Sequence, residues 1–270
     1  MSTAKAFAAT RAEGRAALVG YLPAGFPTVE GSIEALKAMV DAGCDIIEVG
    51  LPYSDPVMDG PTIQAAAHQA LEGGVHTTDV LRTVEAVAAT GTPTVVMTYW
   101  NPIERYGVDR FAADLASAGG AGLITPDLTP DSGPEWIAAA DARDLDKIFL
   151  IAPSSTDERL AMTTAACRGF VYATAVMGVT GARASTSELA GPLVARARRT
   201  LEEQGSDLAI GVGLGVSNGQ QAAEVASYAD AVIVGSAFVR TLLDAQGDRA
   251  VGLAALRALT EDLAGGVRRA

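Results

Sequence analysis

Cysteine is nearly absent from the 270 residues. Only Cys44 and Cys167 occur, too few and too far apart for a disulfide framework or a zinc site, so both are expected as buried thiols in a reducing compartment. No apolar run reaches the roughly 18 residues a membrane-crossing helix requires, which excludes that class. The opening Met1-Ser2-Thr3-Ala4-Lys5-Ala6-Phe7 leads into Arg11, Glu13 and Arg15 rather than into a signal peptide's apolar segment and cleavage site, and a cytoplasmic protein is expected. Basic charge is also short. With a formal net charge of −12, the chain lacks the surface that sequence-independent nucleic-acid binding needs. An anionic substrate would therefore be held locally, by backbone N–H groups at a helix start. Lysine is scarce, at positions 5, 37 and 147 alone.

Aliphatic residues and glycine are what the chain has in plenty: 49% of it is hydrophobic and only 5% aromatic, which suits a large aliphatic core. After a short helix at 2–14, the spacing predicts strands at 16–22, 45–50, 93–99, 122–125, 147–151, 169–173, 208–213 and 231–235. Between and after them it predicts helices at 28–42, 62–71, 77–90, 109–118, 133–143, 157–167, 187–203, from 217, at 236–243 and at 252–264. Thr28 suits a helix cap, Gly43 a helix end and Pro134 a first helical turn, while Trp100-Asn101-Pro102 reads as a turn after the third strand. Strand and helix alternate about eight times without a linker, and near-continuous apolar strands mean a parallel sheet covered by helices. Eight units favour closure into a (β/α)8 barrel of the TIM type, an α/β fold, with an extra N-terminal helix and short inserted helices, as one domain over residues 1–270. A doubly wound sheet would want Gly-x-Gly-x-x-Gly after the first strand, which Gly20 and Gly25 do not supply.

The most informative stretch runs from Ile46 to Gln64. A carboxylate, Glu48, interrupts a short apolar strand, and a Gly/Pro-punctuated loop then adds Asp55 and Asp59. A buried acid is costly unless paired, hydrated or used. No basic residue lies on the neighbouring strands, which weighs against a simple ion pair for Glu48. Asp55 and Asp59 could each be turn chemistry. In a barrel the C-terminal strand ends form the active site, which would gather Glu48, Asp59, Tyr99, Asp127, Tyr172 and the glycine-bearing loop at 176–186. Residues such as Tyr99 and Tyr172 are more often core or rim residues than catalytic ones, and His68, His76, Trp100 and Trp136 have structural roles by default. Gly211 to Ser217 and Gly235-Ser236 each run from a strand into a helix start, the usual phosphate seat of such barrels. Lys147 begins its strand at the opposite face, so a strand-end Schiff base is not expected. Neither a metal cage nor a Ser/His/Asp triad is suggested. Acid–base chemistry by carboxylates on a small phosphorylated substrate is what remains.

Along essentially its full length the chain resembles the tryptophan synthase α subunit family. The resemblance rests on Glu48-Val49-Gly50-Leu51-Pro52-Tyr53-Ser54-Asp55-Pro56-Val57-Met58-Asp59-Gly60-Pro61-Thr62-Ile63-Gln64, supported by Pro126-Asp127-Leu128, Gly178-Val179-Thr180-Gly181, Gly213-Leu214-Gly215-Val216-Ser217 and Val234-Gly235-Ser236. It implies retro-aldol cleavage of indole-3-glycerol phosphate to indole and glyceraldehyde 3-phosphate. By motif position Glu48 would protonate the indole C3 and Asp59 would stabilise the indolenine cation through the ring N–H. Tyr172 would position the reacting centre, Thr180 would touch Asp59 and close the site, and Gly181, Gly213, Gly235 and Ser236 would hold the phosphate. Tyr99 is counted with the substrate-binding residues. The resemblance further implies no cofactor and no metal in this chain, and a pyridoxal-phosphate β subunit as partner in an αββα assembly with an internal tunnel. Pro52, Asp55 and Asn101 match positions near that contact. Ala175-Val176-Met177 departs from the Ser-Arg-containing segment of many members, and Trp100 widens the third loop. A synthase-type relative of the barrel would want strand-end lysines, which are missing. A catalytically silent partner that only activates the β subunit is the other alternative, against which the presence of both Glu48 and Asp59 speaks.

Overall fold

The computed structural model describes residues 2–174 and 186–269, with side chains outside 186–189. Eight parallel strands, β1 Ala17–Pro23, β2 Ile46–Gly50, β3 Thr94–Met97, β4 Gly122–Thr125, β5 Asp146–Ile151, β6 Phe170–Thr174, β7 Ala209–Gly213 and β8 Ala231–Val234, close into a barrel in sequence order. The helices, among the described residues, are α1 Ala4–Ala12, α2 Val29–Ala42, α3 Pro61–Glu72, α4 Thr77–Ala88, α5 Trp100–Tyr106, α6 Val108–Ser117, α7 Pro134–Asp141, α8 Asp157–Ala166, α9 Thr186–Glu203, α10 Gly219–Ala226, α11 Ser236–Asp244 and α12 Arg249–Val267. This is the expected (β/α)8 barrel. No helix of the described residues is long and apolar enough to cross a membrane.

The alternation of side chains along each strand divides the core in two. Ala17, Val19, Ile46, Val95, Ile124, Ile148, Phe170, Ala209, Ala231 and Ile233 fill the barrel interior. The other faces, with Leu18, Leu22, Ile47, Val49, Val96 and Val232 among them, pack outward against the helices. Local signals set the elements as the sequence suggests. Gly31 donates its N–H to the Thr28 hydroxyl at 3.0 Å to start α2, and Gly43 ends that helix at φ +119°, a conformation that favours glycine.

Helix α1 closes the N-terminal floor, with the Phe7 ring 5.6 Å from that of Phe170. Above it, the fully buried Asp146 carboxylate accepts from Ser2 Oγ at 3.0 Å, Thr3 N at 2.8 Å and Thr3 Oγ1 at 2.7 Å, and lies 3.4 Å from Arg168 Nε. Lys147 is also at this end, paired with Asp141. It is therefore far from chemistry at the mouth, as its place in the strand suggests.

Three expectations need correction. The third strand stops at Met97, and Trp100-Asn101-Pro102 is not a turn: it is the first turn of helix α5, with Tyr99 as its cap residue. Pro102 is compatible with this because the first turn of a helix has no use for its missing N–H. The free Trp100 N–H is taken by the Asp127 carboxylate at 2.9 and 3.1 Å, a tether from the next βα loop that local sequence does not reveal. The last helix begins at Arg249 rather than Gly252, because Val251 donates to the Asp248 side chain at 3.1 Å.

Candidate active site

Glu48 is the middle residue of β2 and points into the barrel, only 3% exposed. No ion pair reaches it among the described residues, and its Oε2 has no hydrogen-bond partner there. An acid in that condition resists ionisation. Burial first, and the nearby Asp59 second, push the Glu48 carboxyl up to about 8, so it is mostly protonated at neutral pH.

Asp59 lies in the loop between β2 and α3, half-buried. That loop is pinned by Tyr99, whose hydroxyl accepts from Met58 N at 2.9 Å and donates to Asp59 Oδ1 at 3.2 Å. Gln64 Nε2 adds a bond to the Asp59 carbonyl at 2.7 Å. Burial raises Asp59 above the usual carboxylate range, and the Tyr99 hydrogen bond opposes that rise. The two acids thus have different settings: Glu48 is dry, with an oxygen that no donor reaches among the described residues, and Asp59 is wetter and hydrogen-bonded. Such a contrast separates a proton donor from a carboxylate that can face a cation.

Both acids line a cavity of about 370 Å³ at the C-terminal mouth, with Tyr21, Tyr172, Gly213 and Gly235. Ile63, Met97, Ile124, Leu150 and Ile233 supply apolar wall, suited to a flat aromatic body. Glycine at 213 is a steric requirement, since a Cβ there would overlap the Tyr172 hydroxyl. Ser236 is the first residue of α11 and Gly235 its cap residue, and no side chain among the described residues caps that helix. The start of α10 differs: Gly219 N donates to Asp262 Oδ2 at 2.6 Å and Gln221 N to Asn218 Oδ1 at 2.9 Å. Among the described residues the α11 N-terminus therefore has N–H groups without a side-chain acceptor, the condition for seating an anion.

The structure thus brings Glu48, Asp59, Tyr172, Gly213 and Gly235 around one space, with Ser236 at its edge. Tyr99 is buried and reaches that space through Asp59. Thr180 and Gly181, and the Ala175-Val176-Met177 segment, lie outside the described residues. On the outer side of the same loop, Pro52 is buried, Asp55 is exposed and accepts from Ser54 Oγ at 2.5 Å, and Asn101 Nδ2 donates to the Tyr53 hydroxyl at 3.0 Å. Val57 and Met58 are 79% and 51% exposed at its tip. His68 is exposed and pairs with Glu72, and His76 donates its backbone N–H to Asp79 at the start of α4. Among the described residues no cluster of metal ligands occurs.

Sequence reading passed over Tyr21 as one more member of an apolar strand. Its register is the signal that finds it, because it stands directly across from Glu48 on the adjacent strand.

The family model described as "Tryptophan synthase alpha chain" matches residues 7–268. The chain is 64% identical over 259 residues to the tryptophan synthase alpha chain of Acidothermus cellulolyticus, covering 96% of this chain and 94% of that one. To the counterpart from Salinispora arenicola it is 65% identical over 263 residues, covering 97% and 96%. Among solved structures it is similar to tryptophan synthase from M. tuberculosis, with a TM-score of 0.89, 54% identity and 99% of each chain covered. It is also similar to the tryptophan synthase subunit alpha of Legionella pneumophila, with a TM-score of 0.87, 31% identity and 100% of each chain covered.

Proposed function

Because the chain belongs to the tryptophan synthase alpha-chain family, we propose that Glu48 and Asp59 are the residues with which it performs the α reaction. That reaction is the cleavage of indole-3-glycerol phosphate, so the protein is a carbon–carbon lyase with the tryptophan synthase β subunit as its partner, and its α reaction needs no cofactor. The observation that supports the residue assignment is a buried carboxyl at Glu48, with one oxygen that no donor reaches among the described residues, sharing one cavity with Asp59.

In this reading the protonated Glu48 gives its proton to the indole C3. The ring loses aromaticity and becomes a cationic indolenine, whose N–H faces the Asp59 carboxylate. The proton of the side-chain hydroxyl then leaves, the C–C bond breaks, and its electron pair returns to the ring as the aldehyde forms. One proton goes onto carbon and one comes off oxygen, so a residue that alternates between acid and base serves both ends. Tyr172 borders the reacting centre. Gly213, Gly235 and Ser236 seat the phosphate at the start of α11, where the open N–H groups support the assignment and the cap of α10 disfavours its neighbour. Thr180 and Gly181 complete the closure and the phosphate seat, by motif position. Tyr99 contributes to substrate binding by fixing Asp59.

Pro52, Asp55 and Asn101 form part of the β-subunit contact, with the exposed Val57 and Met58 at its tip. The partner carries pyridoxal phosphate and consumes the indole, the assembly is αββα, and the protein works in the cytoplasm as a single barrel domain. Purified protein given indole-3-glycerol phosphate releases indole slowly, and faster with a β subunit present. No indole under either condition would overturn the reading.

A further inference from the structure

Tyr21 is a further polar side chain of the mouth, beside the two acids. Tyr21 is 8% exposed, lines the cavity with both acids and is the cross-strand register partner of Glu48. Its ring lies across Gly50, where a Cβ would overlap the hydroxyl and the ring edge, and it touches the position of Gly235 from the other side. The polar end of the ring therefore lies over β2 at Gly50, two residues beyond Glu48. Among the described residues Glu48 Oε2 is buried without a hydrogen-bond donor. A phenol and a carboxyl oxygen that no described donor reaches thus stand on paired residues of one cavity. At rest Glu48 is neutral, so the cost is that of an unsatisfied polar group and not that of a buried charge. It changes when Glu48 gives up its proton, which leaves a carboxylate in a dry site.

We propose that Tyr21 is a positioning residue for the α reaction, whose O–H donates to Glu48 once that carboxyl has passed its proton to carbon and so steadies the carboxylate formed. The inference rests on the assignment of Glu48 as the proton carrier. Burial first, then the charges of Asp59 and Glu48, keep the Tyr21 phenol well above its ordinary range, so it remains a donor throughout the working pH range. Among the described residues the titratable groups facing Glu48 are Tyr21 from β1, Asp59 from the loop after β2, and Tyr172 from β6, which feels the charge of Glu48. Tyr99 acts one step removed, through Asp59. Of these only Tyr21 is aligned with Glu48 on the neighbouring strand.

The test is Tyr21→Phe, which removes one oxygen and keeps the ring seat, measured with indole-3-glycerol phosphate in the complex with the β subunit across pH. Expected is a kcat lower by about tenfold, the size of one hydrogen bond to a charged group. KM should stay within about twofold, because the bond forms after substrate is bound. The limb of kcat on the alkaline side should move to higher pH, since the charged form of Glu48 has lost a donor. Incorporating 3-fluorotyrosine at position 21, which retains the hydroxyl, should preserve kcat and separates loss of the bond from damage to the fold. A changed KM with unchanged kcat, or an alkaline limb that does not move, would overturn the proposal. Glu48→Gln is the control: if it is fully active, the assignment of Glu48 has failed, whereas an inactive Glu48→Gln beside a wild-type-like Tyr21→Phe defeats the role of Tyr21 alone.

Discussion

The two ends of the barrel each bury a carboxylate on a strand, and they treat it oppositely. At the floor, Asp146 is completely enclosed and surrounded by donors: a serine hydroxyl, a threonine hydroxyl, a backbone N–H and an arginine. At the mouth, Glu48 is nearly as buried and has an oxygen that no donor reaches among the described residues. A satisfied buried charge is architecture, because its bonds staple distant segments; here they fix the first residues of the chain onto β5. A buried carboxyl left unsatisfied, even when neutral, is a standing cost that a fold keeps only where the group is used. The difference also explains their company. Asp146 is enclosed by groups that neutralise it, whereas Glu48 shares its space with Asp59, a second acid that makes ionisation harder.

The largest effect expected from breaking this contrast is at the mouth. Glu48→Gln should lower kcat by at least about a thousandfold, within the span of a lost general acid–base residue, while substrate still binds; near-normal turnover would move the proton transfer elsewhere. Asp59→Asn should come next, at about a hundredfold, with little change in thermal stability, since the Tyr99 bond can persist to the amide. At the floor the outcome reverses. Asp146→Ala should cost about 3 kcal/mol of stability, measured by denaturant unfolding, because it strands the Ser2, Thr3 and Arg168 donors, and kcat of the folded fraction should be unchanged. Loss of activity without loss of stability there would erase the distinction drawn between the two ends.

A smaller effect follows from pH. The Glu48 carboxyl is raised in the folded chain from 4.5 to about 8, so the folded state holds its proton where the unfolded state has released it. Its contribution to stability is complete below pH 4.5 and is lost as pH rises to about 8, at a slope of about 1.4 kcal/mol per pH unit. Glu48→Gln should remove that slope and overtake the wild type in stability at alkaline pH, which paired unfolding curves would show. The smallest change is Tyr99→Phe. It releases Met58 N and Asp59 from their common partner, and a drop of about threefold in kcat/KM is expected from one neutral hydrogen bond.

Much of this was legible before any coordinates. The apolar strands with helical stretches between them announce the barrel, and Glu48 is visible as a lone acid in the short run Ile46-Ile47-Glu48-Val49. What stayed hidden depends on contacts between distant segments. Trp100-Asn101-Pro102 reads as a turn because Pro102 looks like a breaker, and only the Asp127 carboxylate at the start of α5 reveals why a helix begins there. Tyr21 looks like any aromatic in a buried strand until the register sets it opposite Glu48. The glycine loops after β7 and β8 look alike as candidates, yet Asp262, far along the chain, occupies the start of α10 and leaves α11 open. Asp146, the most buried acid of the floor, gives no local hint, since its donors come from the first residues of the chain.

The central claim is that Glu48 is held protonated at neutral pH by burial and by Asp59. The direct measurement is a carbon-13 NMR titration of the protein labelled at glutamate carboxyls, with Glu48→Gln used to assign the resonance. A midpoint near 8 for the signal absent from the variant is the predicted result. A midpoint near the ordinary 4.5 would mean that Glu48 is ionised at rest and cannot be the acid that protonates carbon.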